Sequence, residues 1–187
     1  MVSKSLKEKF LNQKAVVLWM TRLSGSGKTT LAENLESELF SMGYLAQILD
    51  GDNMRSGINK NLGFSAEDRE ENIRRIAEIS RLFLNCGLIC INSFISPTNK
   101  IREMAKDVIG RDSFIEIFLN APIEICEKRD VKGLYKAARA GKIKNFTGID
   151  SPYEIPMHPD IEINTGELSV EESVEKCMRI IIERIRS

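Results

Sequence analysis

AVVLWMTRLSGSGKTT, residues 15–30, joins a continuous apolar run to a glycine-rich loop. Residues 15–20 are apolar throughout, as expected of a strand that is buried on both faces of a sheet. A helix is predicted at 28–42, and Gly43 is placed to end it. A strand, a glycine-rich loop and a helix in this order predict a phosphate-binding loop, because backbone N–H groups and the positive helix end converge on an anion.

The loop positions have separate roles in binding ATP. Gly25 and Gly27 allow backbone N–H groups to approach phosphate oxygens closely. Lys28 is expected to reach the β- and γ-phosphates, and Thr29 is expected to ligate Mg²⁺. The complete ATP-binding prediction for the loop is Ser24, Gly25, Ser26, Gly27, Lys28, Thr29 and Thr30. The alternative, a simple Gly/Ser-rich turn, is disfavoured by the flanking strand and helix.

One loop position departs from the phosphate-loop pattern G-x-x-x-x-G-K-[ST], because Arg22 stands where the first glycine is expected. Two outcomes are open. In the one that we favour, the φ angle of Arg22 is negative, and its side chain points into solvent or back toward a phosphate. In the other, the position needs glycine geometry, the loop is distorted and ATP binding is impaired.

Strands and helices alternate along the rest of the chain. Further strands are predicted at 44–49, 88–95, 114–119 and 161–163, and further helices at 67–86 and 170–185. This alternation predicts an α/β fold of the P-loop type, with right-handed crossovers and a parallel sheet between helices. Ligands bind beyond the carboxyl ends of such strands, so the loops after Met20, Asp50, Ile95 and Asn120 are the candidates.

Composition limits the class of protein. A chain of 187 residues suits one domain, predicted to span 1–187. Lys plus Arg and Asp plus Glu both number 27, so no net charge attracts nucleic acid or a membrane. A polar N-terminus and the lack of a long apolar run predict a cytoplasmic protein. Four scattered cysteines and one histidine disfavour a disulfide framework or a zinc site.

A series of motifs follows the predicted strands. They are DGDNMR at 50–55, LGFS at 62–65, DR at 68–69, ENIRR at 71–75, SFISP at 93–97, KGLYK at 132–136, FTGID at 146–150 and PYE at 152–154. The series closely resembles the adenylyl-sulfate kinase family, and the resemblance extends from about residue 14 to residue 165. It implies phosphorylation of the 3′-hydroxyl of adenylyl sulfate by ATP, with 3′-phosphoadenylyl sulfate and ADP as products.

Two carboxylates follow the second strand beside the phosphate loop. Such groups can orient Mg²⁺ and accept a proton from an attacking hydroxyl. The resemblance points to Asp52 as the more direct participant, and Asp50 is predicted to contact the metal. The alternative is a turn in which the aspartates only cap a helix.

The resemblance also assigns residues to adenylyl sulfate. Arg55 and Arg69 suit phosphate and sulfate oxygens. Phe64 and Phe146 are expected to clamp adenine, although either phenylalanine alone would more often belong to the core. The substrate-binding set is completed by Asp52, Asn72, Ile95, Ser96 and Lys132.

The catalytic set of Lys28, Asp52 and Ser96 includes a serine that the family marks as a phosphoserine position. A covalent relay is not required, because direct in-line transfer suffices, and Ser96 then only binds substrate.

A basic stretch at 132–144 resembles the mobile lid of the family, placed at about 130–150. In isolation, a basic helical stretch is usually a solvated face. A cationic lid would screen the charge of two nucleotides and exclude water. Arg129 and Arg139 are assigned to the ATP side of this lid.

Other departures from the family are Ser56, Thr98 with Asn99, and Val131. Asn99 removes a cation near the sulfonucleotide. Two alternative functions stay open: another small-molecule P-loop kinase, which the Phe64/Phe146 pair disfavours, and a catalytically weakened nucleotide-binding protein, which only Arg22 supports. The resemblance also implies a homodimer and a functional coupling to an ATP sulfurylase, the enzyme that supplies adenylyl sulfate.

Overall fold

The computed structural model describes residues 2–186, and these residues form one parallel β-sheet between helices. The five strands of this described range are β1 Val17–Thr21, β2 Ala46–Asp50, β3 Ile89–Ser93, β4 Phe114–Leu119 and β5 Ile161–Ile163. Their order in the sheet is β2-β3-β1-β4-β5, and each neighbouring pair is parallel. The predicted P-loop α/β fold is therefore confirmed, with β1 in the centre.

The α-helices between residues 2 and 186 are α1 Lys4–Leu11, α2 Lys28–Ser41, α3 Gly51–Ser56, α4 Ala66–Asn85, α5 Asn99–Ile109, α6 Ile123–Arg129, α7 Leu134–Arg139 and α8 Val170–Ile185. Helices α2 and α8 pack on one face of the sheet, and α4 and α5 pack on the other. Every residue of β1 is buried, because side chains alternate between the two apolar layers. This burial confirms the interpretation of the apolar run.

Three predicted elements, 114–119, 161–163 and 170–185, have the bounds of β4, β5 and α8. The other predicted elements exist, with ends displaced by one to two residues. Helices α1, α3, α5 and α6 have no counterpart among the predicted elements. Helix α5 is capped by Thr98, whose side chain accepts a hydrogen bond from the Ile101 backbone N–H. Within residues 2–186, none of the helices is long and apolar enough to span a bilayer.

Candidate active site

The phosphate loop lies between β1 and α2, as predicted, and two of its glycines are required by geometry. Gly25 and Gly27 have φ angles of +74° and +94°. A Cβ at Gly25 would lie 2.6 Å from the backbone oxygen of Cys126. The loop therefore packs so closely against α6 that only glycine fits at this position.

Three consecutive carbonyls of the loop are held by side chains outside it. Tyr135 Oη donates to the Ser24 oxygen at 2.9 Å, and Thr165 Oγ1 donates to the Ser26 oxygen at 2.8 Å. Arg129 Nη1 donates to the Gly25 oxygen at 3.3 Å. Because carbonyl and N–H groups of a trans peptide point in opposite directions, these contacts turn N–H groups toward the centre of the loop. This arrangement fits a bound phosphate.

Lys28, at the start of α2, is a buried cation beneath the loop. Its Nζ donates to the backbone oxygens of Arg22 at 2.9 Å and Leu23 at 2.8 Å. The pKa of Lys28 is lowered to about 8, mainly by burial; the nearby charges of Arg22 and Lys132 act in the same direction, against an opposing effect of Cys126. A phosphate would provide the counter-charge that this ammonium lacks.

Arg22 is not among the residues of 2–186 that have a positive φ angle, which agrees with the favoured outcome. The expected direction of its side chain, however, is wrong. The side chain points into the protein interior instead of into solvent, and the residue is only 9% exposed. Its Nε and Nη2 donate to the Ala121 oxygen at 3.1 and 2.6 Å. The guanidinium also lies 5.5 Å from the ring centre of Phe118 and 5.1 Å from that of Tyr153. The position does not need glycine, because its φ angle is not positive and the side chain has a pocket to occupy.

The two aspartates after β2 have different partners. Asp50 caps α3: its Oδ1 accepts from the backbone N–H groups of Asp52 at 2.9 Å and Asn53 at 3.1 Å. The contacts of Asp50 are thus those of a helix cap, which was the alternative to a role at the metal. A role of Asp50 in holding Mg²⁺ remains a proposal. Asp52 is exposed and forms an ion pair with Lys132. The predicted base therefore contacts the predicted lid directly.

Arg69 connects the two segments that carry the predicted adenine clamp. Its Nε donates to the Phe64 oxygen at 3.0 Å, and its Nη1 donates to Thr147 Oγ1 at 2.6 Å, next to Phe146. The guanidinium of Arg55 lies 4.3 Å from the ring centre of Phe64. Burial lowers the pKa of both arginines, and in Arg69 the charge of Arg55 adds to the effect. Two crowded cations beside aromatic rings suit an anionic nucleotide.

The two predicted clamp phenylalanines differ in burial. Phe64 is 59% exposed, whereas Phe146 packs against a small buried cluster of Leu23, Ala121, Cys126 and Tyr135. The rings of Tyr135 and Phe146 meet edge to face at 5.0 Å. Phe64 thus exposes much of its ring to solvent while the Arg55 guanidinium lies over it, and Phe146 is held in place from behind.

Three other predicted substrate residues lie at the carboxyl end of the sheet or beneath it. Asn72 is buried and accepts a hydrogen bond at 2.9 Å from the side chain of Asn59. Ser96 follows β3 with a φ angle of +40°, and its Oγ accepts a hydrogen bond at 3.1 Å from Trp19 Nε1. At 2% exposure, Ser96 needs a local opening before its hydroxyl can be modified. Ile95, beside it, is half-buried.

The predicted lid residue Arg139 does not contact the phosphate loop. It forms a bidentate contact with Glu127, at 2.9 and 3.1 Å, which joins α7 to α6. By contrast, Arg129 reaches both the loop and Thr165, whose backbone oxygen accepts from its Nη2 at 2.5 Å. Arg129 thus contacts the phosphate loop, whereas Arg139 would have to leave Glu127 to reach it.

Several residues that hold the site together were missed. Tyr135 and Thr165 are polar groups that satisfy loop carbonyls, and Arg102 donates to the oxygens of Ser96 and Glu154, both at 2.7 Å. Tyr135 lies in the KGLYK motif and Glu154 in the PYE motif, so their positions in the sequence could have indicated a role at the site. Thr165 had no local signal, because its partner is 139 positions away.

The site also fits Mg²⁺ bound mainly through substrate. Among the described residues, no group of three or more His, Cys, Asp or Glu side chains is placed to hold a metal ion. The protein groups predicted to contact it are Asp50 and Thr29, which is exposed in the first turn of α2. Mg²⁺ commonly takes few protein ligands and completes its shell with phosphate oxygens and water.

A parallel sheet with a glycine-rich phosphate loop after its central strand, a buried lysine under that loop and carboxylates after β2 define a P-loop phosphotransferase. The family model for adenylylsulphate kinase matches residues 14–164, and the chain belongs to this family.

Individual proteins support this assignment. The adenylyl-sulfate kinase of Bacteroides thetaiotaomicron is 57% identical over 185 residues, which are 99% of this chain and 92% of the relative. Adenylyl-sulfate kinase 3 of Arabidopsis thaliana is 57% identical over 166 residues, 89% of this chain and 80% of the relative. The solved structure of the Mycobacterium tuberculosis APS kinase in complex with AMPPNP and APS is similar with a TM-score of 0.87 and 41% identity, covering 90% of this chain and 98% of that one.

Proposed function

We propose that this protein transfers the γ-phosphate of ATP to the 3′-hydroxyl of adenylyl sulfate. The observation that carries the assignment of the acceptor site is the bridge made by Arg69, which brings the Phe64 and Phe146 segments together next to Arg55. An aromatic pair with adjacent guanidinium groups suits an adenine nucleotide that bears phosphate and sulfate oxygens.

The residue roles follow from charge and position. Lys28 stabilises negative charge that develops on the transferred phosphoryl group. Asp52 accepts the proton of the 3′-hydroxyl. At the same time the hydroxyl oxygen forms a bond to the γ-phosphorus, and the bond between that phosphorus and the β–γ bridging oxygen breaks. ADP leaves with the electrons of the broken bond. Bound Mg²⁺ supplies further charge neutralisation, with Thr29 and Asp50 as its protein contacts.

The remaining roles are shared between the lid and residues at the carboxyl side of the sheet. Lys132 and the basic residues after it lie in a segment that we place over the two substrates, at about 130–150. Arg129 and Arg139 contribute on the ATP side, and Asn72, Ile95 and Ser96 on the adenylyl sulfate side. Exclusion of water by this segment would limit hydrolysis of ATP without an acceptor.

ADP release tests the proposal when it is measured with ATP alone and with ATP plus adenylyl sulfate, a nucleoside monophosphate or a sugar. We expect rapid ADP release only with adenylyl sulfate, together with a product phosphorylated at the 3′ position. Equal turnover of another acceptor would favour the general small-molecule kinase. A protein that binds ATP but releases no ADP would be the weakened homologue.

Calorimetry tests the adenine clamp. Phe64→Ala and Phe146→Ala should each weaken binding of adenylyl sulfate by about 1–3 kcal/mol, because stacking on an aromatic ring is lost. AMPPNP affinity should not change. Phe40, which is 72% exposed on α2, gives a control substitution, Phe40→Ala, with no expected effect. A loss confined to AMPPNP would assign the clamp to ATP.

Assembly and partners are further proposals. The homodimer and the coupling to an ATP sulfurylase rest on resemblance to the family alone, and light scattering of the purified protein tests the first of them. The cytoplasmic location stays a prediction from composition.

A further inference from the structure

Arg22 is a buried cation at the point where β1 becomes the phosphate loop. Within residues 2–186, its hydrogen-bond acceptor is the Ala121 carbonyl, and the other partners of its guanidinium are the rings of Phe118 and Tyr153 rather than a carboxylate. A buried guanidinium needs such contacts to offset lost hydration. Their number indicates that the side chain has one well-defined position.

These contacts join three parts of the site. Phe118 and Ala121 belong to β4 and to the loop that follows it, whereas Tyr153 belongs to the segment after Phe146. The Tyr153 hydroxyl also shares a hydrogen bond of 2.9 Å with Thr21 Oγ1, immediately before Arg22. The start of the phosphate loop is thus fixed to β4 on one side and to the clamp segment on the other.

The main chain of Arg22 holds the catalytic lysine. Lys28 Nζ donates to the Arg22 carbonyl at 2.9 Å. The side chain and the carbonyl belong to one residue, so the contacts that fix the guanidinium also limit movement of the oxygen on which the ammonium rests.

We propose that Arg22 is a positioning residue, whose anchored guanidinium fixes the start of the phosphate loop and thereby the place of Lys28. Where the phosphate-loop pattern has glycine, this chain uses a side-chain anchor. The proposal rests on the proposed function for its kinetic consequence, but not for its effect on the binding of ATP analogues.

Three substitutions separate the properties of the side chain. Arg22→Gly restores the residue of the pattern, Arg22→Met keeps an apolar stem without donors, and Arg22→Lys keeps a charge without the planar fork. Ile181→Val, in the fully buried core between α8 and the sheet, is a control for loss of stability away from the site. Calorimetric affinity for AMPPNP, kcat and KM for ATP, and Tm are measured for each variant.

We expect AMPPNP affinity and kcat/KM for ATP to fall about tenfold in Arg22→Gly and Arg22→Met, which corresponds to about 1.4 kcal/mol. Arg22→Lys should show a smaller loss, of about threefold, because it keeps the charge. Ile181→Val should lower Tm without changing either quantity. If Arg22→Gly fails to fold, the Met and Lys variants still give the comparison.

Affinities within twofold of the wild type in Arg22→Gly and Arg22→Met, with only Tm reduced, would overturn the proposal. So would a gain on restoring glycine, or a wild-type protein that does not bind AMPPNP. A wild type that binds AMPPNP but does not phosphorylate adenylyl sulfate would refute the proposed function alone, and the AMPPNP affinities would still decide the role of Arg22.

Discussion

Lys28 shows how a single residue combines structural cost with function. Its ammonium is buried and rests on two carbonyls, so the folded protein holds it at the expense of hydration. Lys28→Ala should lower kcat by about a hundredfold or more, because a cation at the transferred phosphate is lost. ADP release under saturating substrates measures the effect. Lys100→Ala, which removes an exposed lysine paired with Glu70, is the control and should retain normal turnover.

At Asp52, the contribution to turnover can be measured separately from the contribution to nucleotide binding. Asp52→Asn keeps the shape of the side chain but cannot accept the proton, so we expect turnover to fall about a hundredfold or more while both nucleotides still bind. Single-turnover kinetics and calorimetry measure the two effects. The substitution also weakens the pair with Lys132, which Lys132→Met removes separately. Equal loss of turnover in both variants would assign the effect to the ion pair instead of to a base.

At the scale of secondary-structure elements, Tyr135 connects the lid helix α7 to the phosphate loop and to Phe146. Its hydroxyl holds the Ser24 carbonyl, and its ring packs edge to face with that of Phe146. Tyr135→Phe should lower kcat/KM for ATP about three- to tenfold, the usual range for one net hydrogen bond, and leave adenylyl sulfate binding unchanged. Tyr135→Leu should impair both substrates. Tyr44→Phe, far from the site, is the matched control, and no difference between Tyr135→Phe and Tyr44→Phe would refute this role.

The elements also show what the sequence could predict. Local patterns predicted β4, β5 and α8 at their observed bounds, because apolar periodicity and caps act over short distances. The direction of Arg22 could not be predicted in this way, since its pocket is formed by Phe118, Ala121 and Tyr153, which are about a hundred positions away. The contact of Asp52 with Lys132, 80 positions apart, is of the same kind. Motifs thus indicate candidate residues for the site, whereas the partners of those residues depend on tertiary packing.

At the scale of the whole molecule, a buried charge cluster connects the sheet to the site. Arg102 and Glu116 form an ion pair at 3.1 Å, at an angle unsuited to a hydrogen bond, and Lys106 contacts the second carboxylate oxygen at 2.9 Å. Arg102 also donates to the carbonyls of Ser96 and Glu154. One guanidinium thus links α5, β4, the loop after β3 and the segment that follows the clamp.

Removing the charge of Glu116 should therefore destabilise the whole fold. Glu116→Gln leaves Arg102 buried beside a neutral amide, and breaking one partner of a buried pair typically costs about 3–5 kcal/mol of unfolding free energy. Urea denaturation measures this change, provided that the slope with denaturant stays constant. The control is Glu175→Gln, which breaks the exposed pair with Arg179 and should cost less than about 1 kcal/mol. Because the same arginine holds Ser96 and Glu154, Glu116→Gln should also weaken adenylyl sulfate binding at temperatures where the protein remains folded. Equal stability of the two variants would mean that the buried cluster relaxes or hydrates without its carboxylate. Unchanged binding of adenylyl sulfate by Glu116→Gln would mean that Arg102 does not couple the sheet to the site.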